Sequence, residues 1–329
     1  LPRSLSPYAL LIPFAGLVTF LAVYYFFNVF SNQTIGGITP VATDNAIYTE
    51  ARIRLQWLAA IVAFSFIAAV AIASLMIDVF ATTRDAEGRR HWRYDDRLRI
   101  IATTGFLSGC AIIFVIVFAD DDRLYLYLGE ELFQAVFRIC GEVAGCFGQD
   151  GAQASYDGLL KYGVAVAAAG VVACGIGSIM SLARAPGTRY GAAEVAHARY
   201  YLYLSSALLS FGIIGMMAWM RLPVAVIADA DAQALYSDHI QAVVLYWGVA
   251  YSVVILSYNL PTMMVLRLQG AEGTAADGAT PVAGARAGTV VSLKEVVTAS
   301  IAFLTPALLP LSVELGSNLL SLVGGAGGG

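Results

Sequence analysis

The fold is decided at residues 84–99, RDAEGRRHWRYDDRLR, a loop that carries six of the chain's 19 Lys and Arg residues. It lies between two apolar stretches, residues 55–77 and 100–118, each of the length of about 20 residues that a helix needs to cross a bilayer. A charged loop between two such stretches fixes which side of the membrane each neighbouring segment must face.

Working outward from it, five further segments have the required length, at residues 8–30, 160–182, 200–220, 241–266 and 297–323. The composition agrees: 59% of the 329 residues are hydrophobic and 13% charged, against about 25% charged in soluble domains. No soluble core can hide that much apolar surface, so the bilayer must be the solvent. The expected fold is all-α, a polytopic helical membrane bundle of six transmembrane helices, or seven if the last segment also crosses. That last segment differs from the others in carrying Pro306, Pro310, Glu314 and Asn318.

With the N-terminus cytoplasmic and six crossings, Arg3, the 84–99 loop, the 184–199 loop and the tail after Leu266 fall inside, and together hold thirteen Lys and Arg. Six remain outside: Arg52, Arg54, Arg123, Arg138, Lys161 and Arg221. The positive-inside rule selects this orientation. The expected location is a bacterial inner (plasma) membrane, and no specific family is recognisable in the pattern. The first segment, at about 23 residues, exceeds a secretory signal core and reads as a retained anchor.

The organisation follows. Residues 1–266 form the transmembrane domain, whose exterior loop 119–159 contains a helical pattern. There Phe133, Val136, Phe137, Cys140, Val143 and Phe147 recur at helical spacing, which fits a helix lying on the bundle or the bilayer surface, with packing preferred over a lid. Residues 267–291 are small and polar and read as a flexible cytoplasmic linker. Residues 292–323 carry an apolar stripe from Ile301 to Leu322 and admit three readings: an amphipathic interfacial helix, an oligomer contact, or a seventh span. Residues 324–329 read as a disordered tail.

Small residues mark where helices approach. Gly170, Cys174 and Ser178 form one line four apart, Ala169, Ala173 and Gly177 a second, and the third span adds Gly105 and Gly109. Such faces let two backbones come close, and they place both spans at the centre of the bundle. In the sixth span Asn259 and Pro261 predict a kink, a candidate gate. Cys140 and Cys146 are a candidate exterior disulfide, provided the chain turns between them.

Few chemistries are indicated. The first six spans hold almost no ionisable group; Asp78 stands at the end of the second and Arg221 just beyond the fifth. This weakens an ion-coupled pump and leaves room for a channel. One metal constellation is conceivable: His91 and Asp95 are four apart, Glu194 and His197 three apart, so each pair can share a helical face, and the two loops can meet. An outer group, Asp229, Asp231, Asp238 and His239, reads first as a solvated rim. No cofactor or catalytic group is predicted, and bound lipid is. Four acids dilute the 84–99 loop to a net charge of about +2, which argues against nucleic acid. The expected function is non-enzymatic, a homo-oligomeric channel-like or permeation assembly; the alternative is an accessory, anchoring or sensing subunit of a larger membrane complex, and the third reading a membrane enzyme with a metal at the cytoplasmic face. Expected partners are membrane lipids and either further copies of the chain or a membrane-complex partner.

Overall fold

The computed structural model describes residues 9, 11–30, 38, 46–84, 90–118, 130–142, 152–183 and 190–276. Among them the chain forms seven α-helices: α1 (Ile12–Phe30), α2 (Ala46–Val79), α3 (Asp96–Phe118), α4 (Glu130–Glu142), α5 (Ala152–Met180), α6 (Ala192–Met220) and α7 (Ala230–Ala276). Five of these, α2, α3, α5, α6 and α7, are long and apolar enough to cross a membrane, while α1 offers the shorter apolar stretch Ala15–Phe27. Helices are the expected solution in hydrocarbon, because each satisfies its backbone hydrogen bonds within itself.

α2 shows how the solvent is encoded. Ile53, Trp57, Ala60, Phe64, Ala68, Ala71, Leu75 and Val79 recur three or four apart and are all buried. On the opposite face Leu55, Val62, Phe66 and Ile77 are exposed and equally apolar. A helix apolar on both faces belongs in a lipid environment. At 34 residues α2 is also about 50 Å long, so its first turns rise past the hydrocarbon layer.

Helices α2, α5 and α6 make the central trio. α7 packs on α6, α1 on α7, and α3 on α5. The small residues of α5 face the trio: Gly170 lies against Ala68 and Leu208, and Ala173, Cys174 and Ser178 are fully buried. α3 departs from expectation. Gly109 does abut Val172 and Gly105 approaches Ile176, but this is α3's main contact, and most of its apolar residues are not buried. It is a rim helix: its glycines serve one neighbour, and Ile100, Leu107 and Val115 on its other side are exposed.

The 84–99 loop is built differently from the helical reading of His91 and Asp95. Strands β1 (Thr82–Arg84) and β2 (Arg90–Trp92) form a small antiparallel hairpin with Thr83 opposite His91. His91 is therefore on a strand, while Asp95 precedes α3 and accepts the Leu98 N–H at 2.8 Å, capping that helix. Side-chain oxygens at a helix start compete with continued winding, which is why the two residues share no helical face.

At the other end of the bundle, α4 lays Leu132, Phe133, Ala135 and Val136 onto the short 3₁₀ helix Leu222–Val226 and the start of α2. Phe133 stacks on Trp219 with ring centroids 4.8 Å apart, so α4 packs as a cap. The Tyr236 hydroxyl donates to the Met220 carbonyl at 2.9 Å, and Asp229 accepts the Ala232 N–H at 3.1 Å. Asp229 thus caps α7. That helix runs on to Ala276, through the first residues that composition assigns to the linker. Cys146, the side chain of Cys140 and residues 277–329 lie outside the described residues.

Candidate functional site

Two features stand out, a polar node at the hairpin end of the bundle and an apolar groove along α5. The node begins with Asp78 in the last turn of α2. Its Oδ2 accepts the Tyr201 hydroxyl at 2.6 Å and lies 2.7 Å from His197 Nε2, while Oδ1 is 3.9 Å from Arg93 Nη1. His197 and Tyr201 are four apart on α6 and so present one face to α2. The His197 and Tyr201 rings meet edge to face with centroids 5.2 Å apart. A carboxylate held by a phenol, an imidazole and a nearby guanidinium has its acceptor sites used from several sides. The node ties the hairpin, α2 and α6 together.

Behind it runs a line of buried polar contacts. Ser205 donates to the Tyr201 carbonyl at 2.6 Å, and the Tyr258 hydroxyl donates to Ser205 at 2.8 Å. Ser178 donates to Asn259 Oδ1 at 2.9 Å, and Asn259 Nδ2 donates to the Ile255 carbonyl at 3.2 Å. These groups join α5, α6 and α7 where hydrophobicity supplies no preference between helix and lipid. Asn259 is therefore a tie to α5, standing two residues before Pro261 in a helix that continues through the proline.

The four metal candidates take other places. His91 is exposed on β2, Asp95 caps α3, Glu194 accepts the Gly191 N–H at 2.9 Å, and His197 binds Asp78. Among the described residues no group of three or more His, Cys, Asp or Glu could hold a metal ion. Within the loop, Arg99 pairs with Asp96 at 3.1 Å and lies 3.9 Å above the Trp92 ring.

The groove is the larger feature, a cavity of about 600 Å³. Its floor is one face of α5, from Leu160 and Val164 through Ala168 and Val171 to Gly175 and Ile179. Leu160 to Ile179 spans about 30 Å by helical rise, the thickness of the hydrocarbon layer. Phe20, Tyr24 and Phe27 of α1 and Ile101, Ser108 and Ile112 of α3 line it too, together with residues of α2, α6 and α7 such as Phe64, Gly212 and Tyr251. Ile101 and Ile112 keep 43% and 42% of their surface exposed, so these lining residues of α3 are not buried by packing. Gly175 leaves space: a β-carbon there would meet no atom within 4 Å.

Sequence reasoning missed the node and the groove. Asp78 lies 119 residues from His197, so no spacing joins them; the one local signal was the pairing of His197 with Tyr201 a turn later. The groove carried no signal beyond an excess of small residues on α5. Comparison with family models, curated proteins and solved structures finds no match to this chain.

Proposed function

We propose that this chain is a non-enzymatic integral membrane protein of the permeation type, which takes an apolar, membrane-dissolved molecule into the groove on α5. The observation that carries this reading is the groove's wall, hydrocarbon over about the full bilayer height. Its volume of about 600 Å³ falls within the range of about 300–1,000 Å³ found for small-molecule sites. An ion shedding its water needs carbonyls or charges along its path, and this wall has neither as its main lining. An acyl or isoprenoid chain needs only contact. The exposed lining residues Ile101 and Ile112 support entry from the bilayer.

In this reading α1 completes six crossings, the hairpin end faces the cytoplasm of a bacterial inner membrane, and the node of Asp78, His197 and Tyr201 keeps that end of the bundle closed. α4 covers the opposite end.

The test is photolabelling in vesicles with a phospholipid whose acyl chain carries a photoactivatable group. Label is expected on Val164, Val171 and Ile112, and Gly175→Trp should reduce it several-fold, whereas Val62→Trp on the outward face of α2 should not. Equal labelling of Val62 and the groove, unaffected by Gly175→Trp, would sink the proposal.

The exposed outer side of α3 favours a second reading, in which a further copy of the chain or another membrane protein packs there. Mass measurement in mild detergent separates the cases: a multiple of the 34.8 kDa chain mass supports self-assembly, and a foreign chain supports an accessory subunit.

A further inference from the structure

We propose that the α5 groove selects an isoprenoid lipid whose head is a neutral, planar ring bearing a carbonyl, the chemical class of the prenylated quinones. The inference names the ligand of the groove described above and rests on that reading.

The groove differs along its height. Toward the α4 end its lining includes Tyr24 and Phe27 near the close of α1, Trp57 of α2, Trp219 at the close of α6, and Trp247 and Tyr251 of α7. Phe27, Trp57, Trp219 and Trp247 belong to one buried cluster, with Tyr24 and Tyr251 packed against it. Phe27 and Trp247 have ring centroids 5.0 Å apart, and Trp219 stacks on Phe133 of α4. Toward the hairpin end the lining from α3 and α5 is aliphatic, with Leu98, Ile101, Ile176 and Ile179. A ring gains from aromatic walls beyond the area it buries, because π systems attract one another in offset or edge-to-face contact. A saturated chain gains from burial alone. The head therefore belongs at the α4 end and the chain along α3 and α5.

Two donors mark the same end. Trp247 and Tyr251 are four apart on α7 and share a face, with ring centroids 5.5 Å apart. Among the described residues neither the Trp247 indole N–H nor the Tyr251 hydroxyl makes a hydrogen bond, and neither atom is sealed off by packing. The hydroxyls of Tyr246 and Tyr258 are, by contrast, given to the Val23 carbonyl and to Ser205. An indole N–H can only donate, and a donor left without an acceptor in an apolar place is costly. A ring carbonyl on the ligand, with its two lone pairs, supplies the acceptor for both.

Charge decides against other heads. Among the described residues no Asp, Glu, Lys, Arg or His lines the groove, so a charged head drawn into it would lose its water and meet no partner. A cavity of about 600 Å³ suits a ring head and the start of its chain. The remainder of the chain passes Ile101 and Ile112 into the bilayer.

The experiment uses the full chain in phospholipid vesicles and a prenylated benzoquinone with a photoactivatable group on its ring. Ring label is expected on Trp57, Trp219 and Trp247, and the same isoprenoid chain without a ring should compete about tenfold less well than unlabelled quinone. Trp247→Phe and Tyr251→Phe, which keep a ring and remove a donor, should each lower the label about 3–10-fold. Ring label as strong on Ile101 and Ile176 as at the tryptophans, or equal competition by the ringless chain, overturns the proposal. If either variant fails to fold, label position and competition in the native chain decide. Acyl-chain labelling of Val164 and Val171 without any ring labelling would overturn the ring head and leave the apolar-ligand reading standing. Loss of both labels would remove that reading as well.

Discussion

The ring of Tyr201 on α6 lies over Gly177 on α5 so closely that a β-carbon at position 177 would fall inside it. The same tyrosine gives its hydroxyl to Asp78 on α2. One side chain thereby joins all three helices of the central trio, and a missing side chain makes room for it.

Gly177→Ala should destabilise the bundle by about 1–3 kcal/mol, the cost of overpacking a filled site. Gly175→Ala, two residues away and facing open space, should be neutral or slightly stabilising, because alanine is the better helix former. Thermal unfolding of the two variants in one detergent checks this. Equal losses at both positions would contradict the packing described for Tyr201.

Asp78→Ala should cost about 2 kcal/mol, as expected for a charged acceptor that leaves buried donors behind. Asp78→Asn, which keeps an acceptor for the Tyr201 hydroxyl, should cost less. A double-mutant cycle of Asp78→Ala with Tyr201→Phe should return a coupling of about 1 kcal/mol. Additivity within error would mean that the hydrogen bond is not made.

The cap should respond locally. Phe133→Ala removes a ring stacked on Trp219 and should weaken the docking of α4 by about 3 kcal/mol. Hydrogen exchange should rise in α4 and in the 3₁₀ helix Leu222–Val226 while the trio of α2, α5 and α6 stays protected. Uniform loss of protection would show that α4 is part of the main cooperative unit.

By contrast, Ser178→Ala should cost only about 0.6 kcal/mol, the usual size of an interhelical hydrogen bond in a membrane. A much larger loss in chemical denaturation would show that the Ser178 to Asn259 contact supports more than the packing of α5 on α7.

Much of the architecture was legible because it is written in single-residue chemistry. The apolar lengths of α2, α3, α5, α6 and α7 are properties of consecutive residues, and so is the amphipathic pattern of α4. The small residues Gly170, Ala173, Cys174 and Gly177 announced a close approach on α5, since only missing volume permits one. The rank of α3 was not legible. Gly105 and Gly109 say that a neighbour comes near on one side and nothing about the other, where exposed Ile100, Leu107 and Val115 face outward.

The sequence by itself determined the apolar character and the helical class, because hydropathy adds up along a chain without reference to its path. Only the tertiary structure decided that Asp78 meets His197 and Tyr201, and that α5 bears an apolar groove. Asp78 lies 119 and 123 positions from those two partners, and a groove is made of space between side chains, which no single stretch of sequence contains.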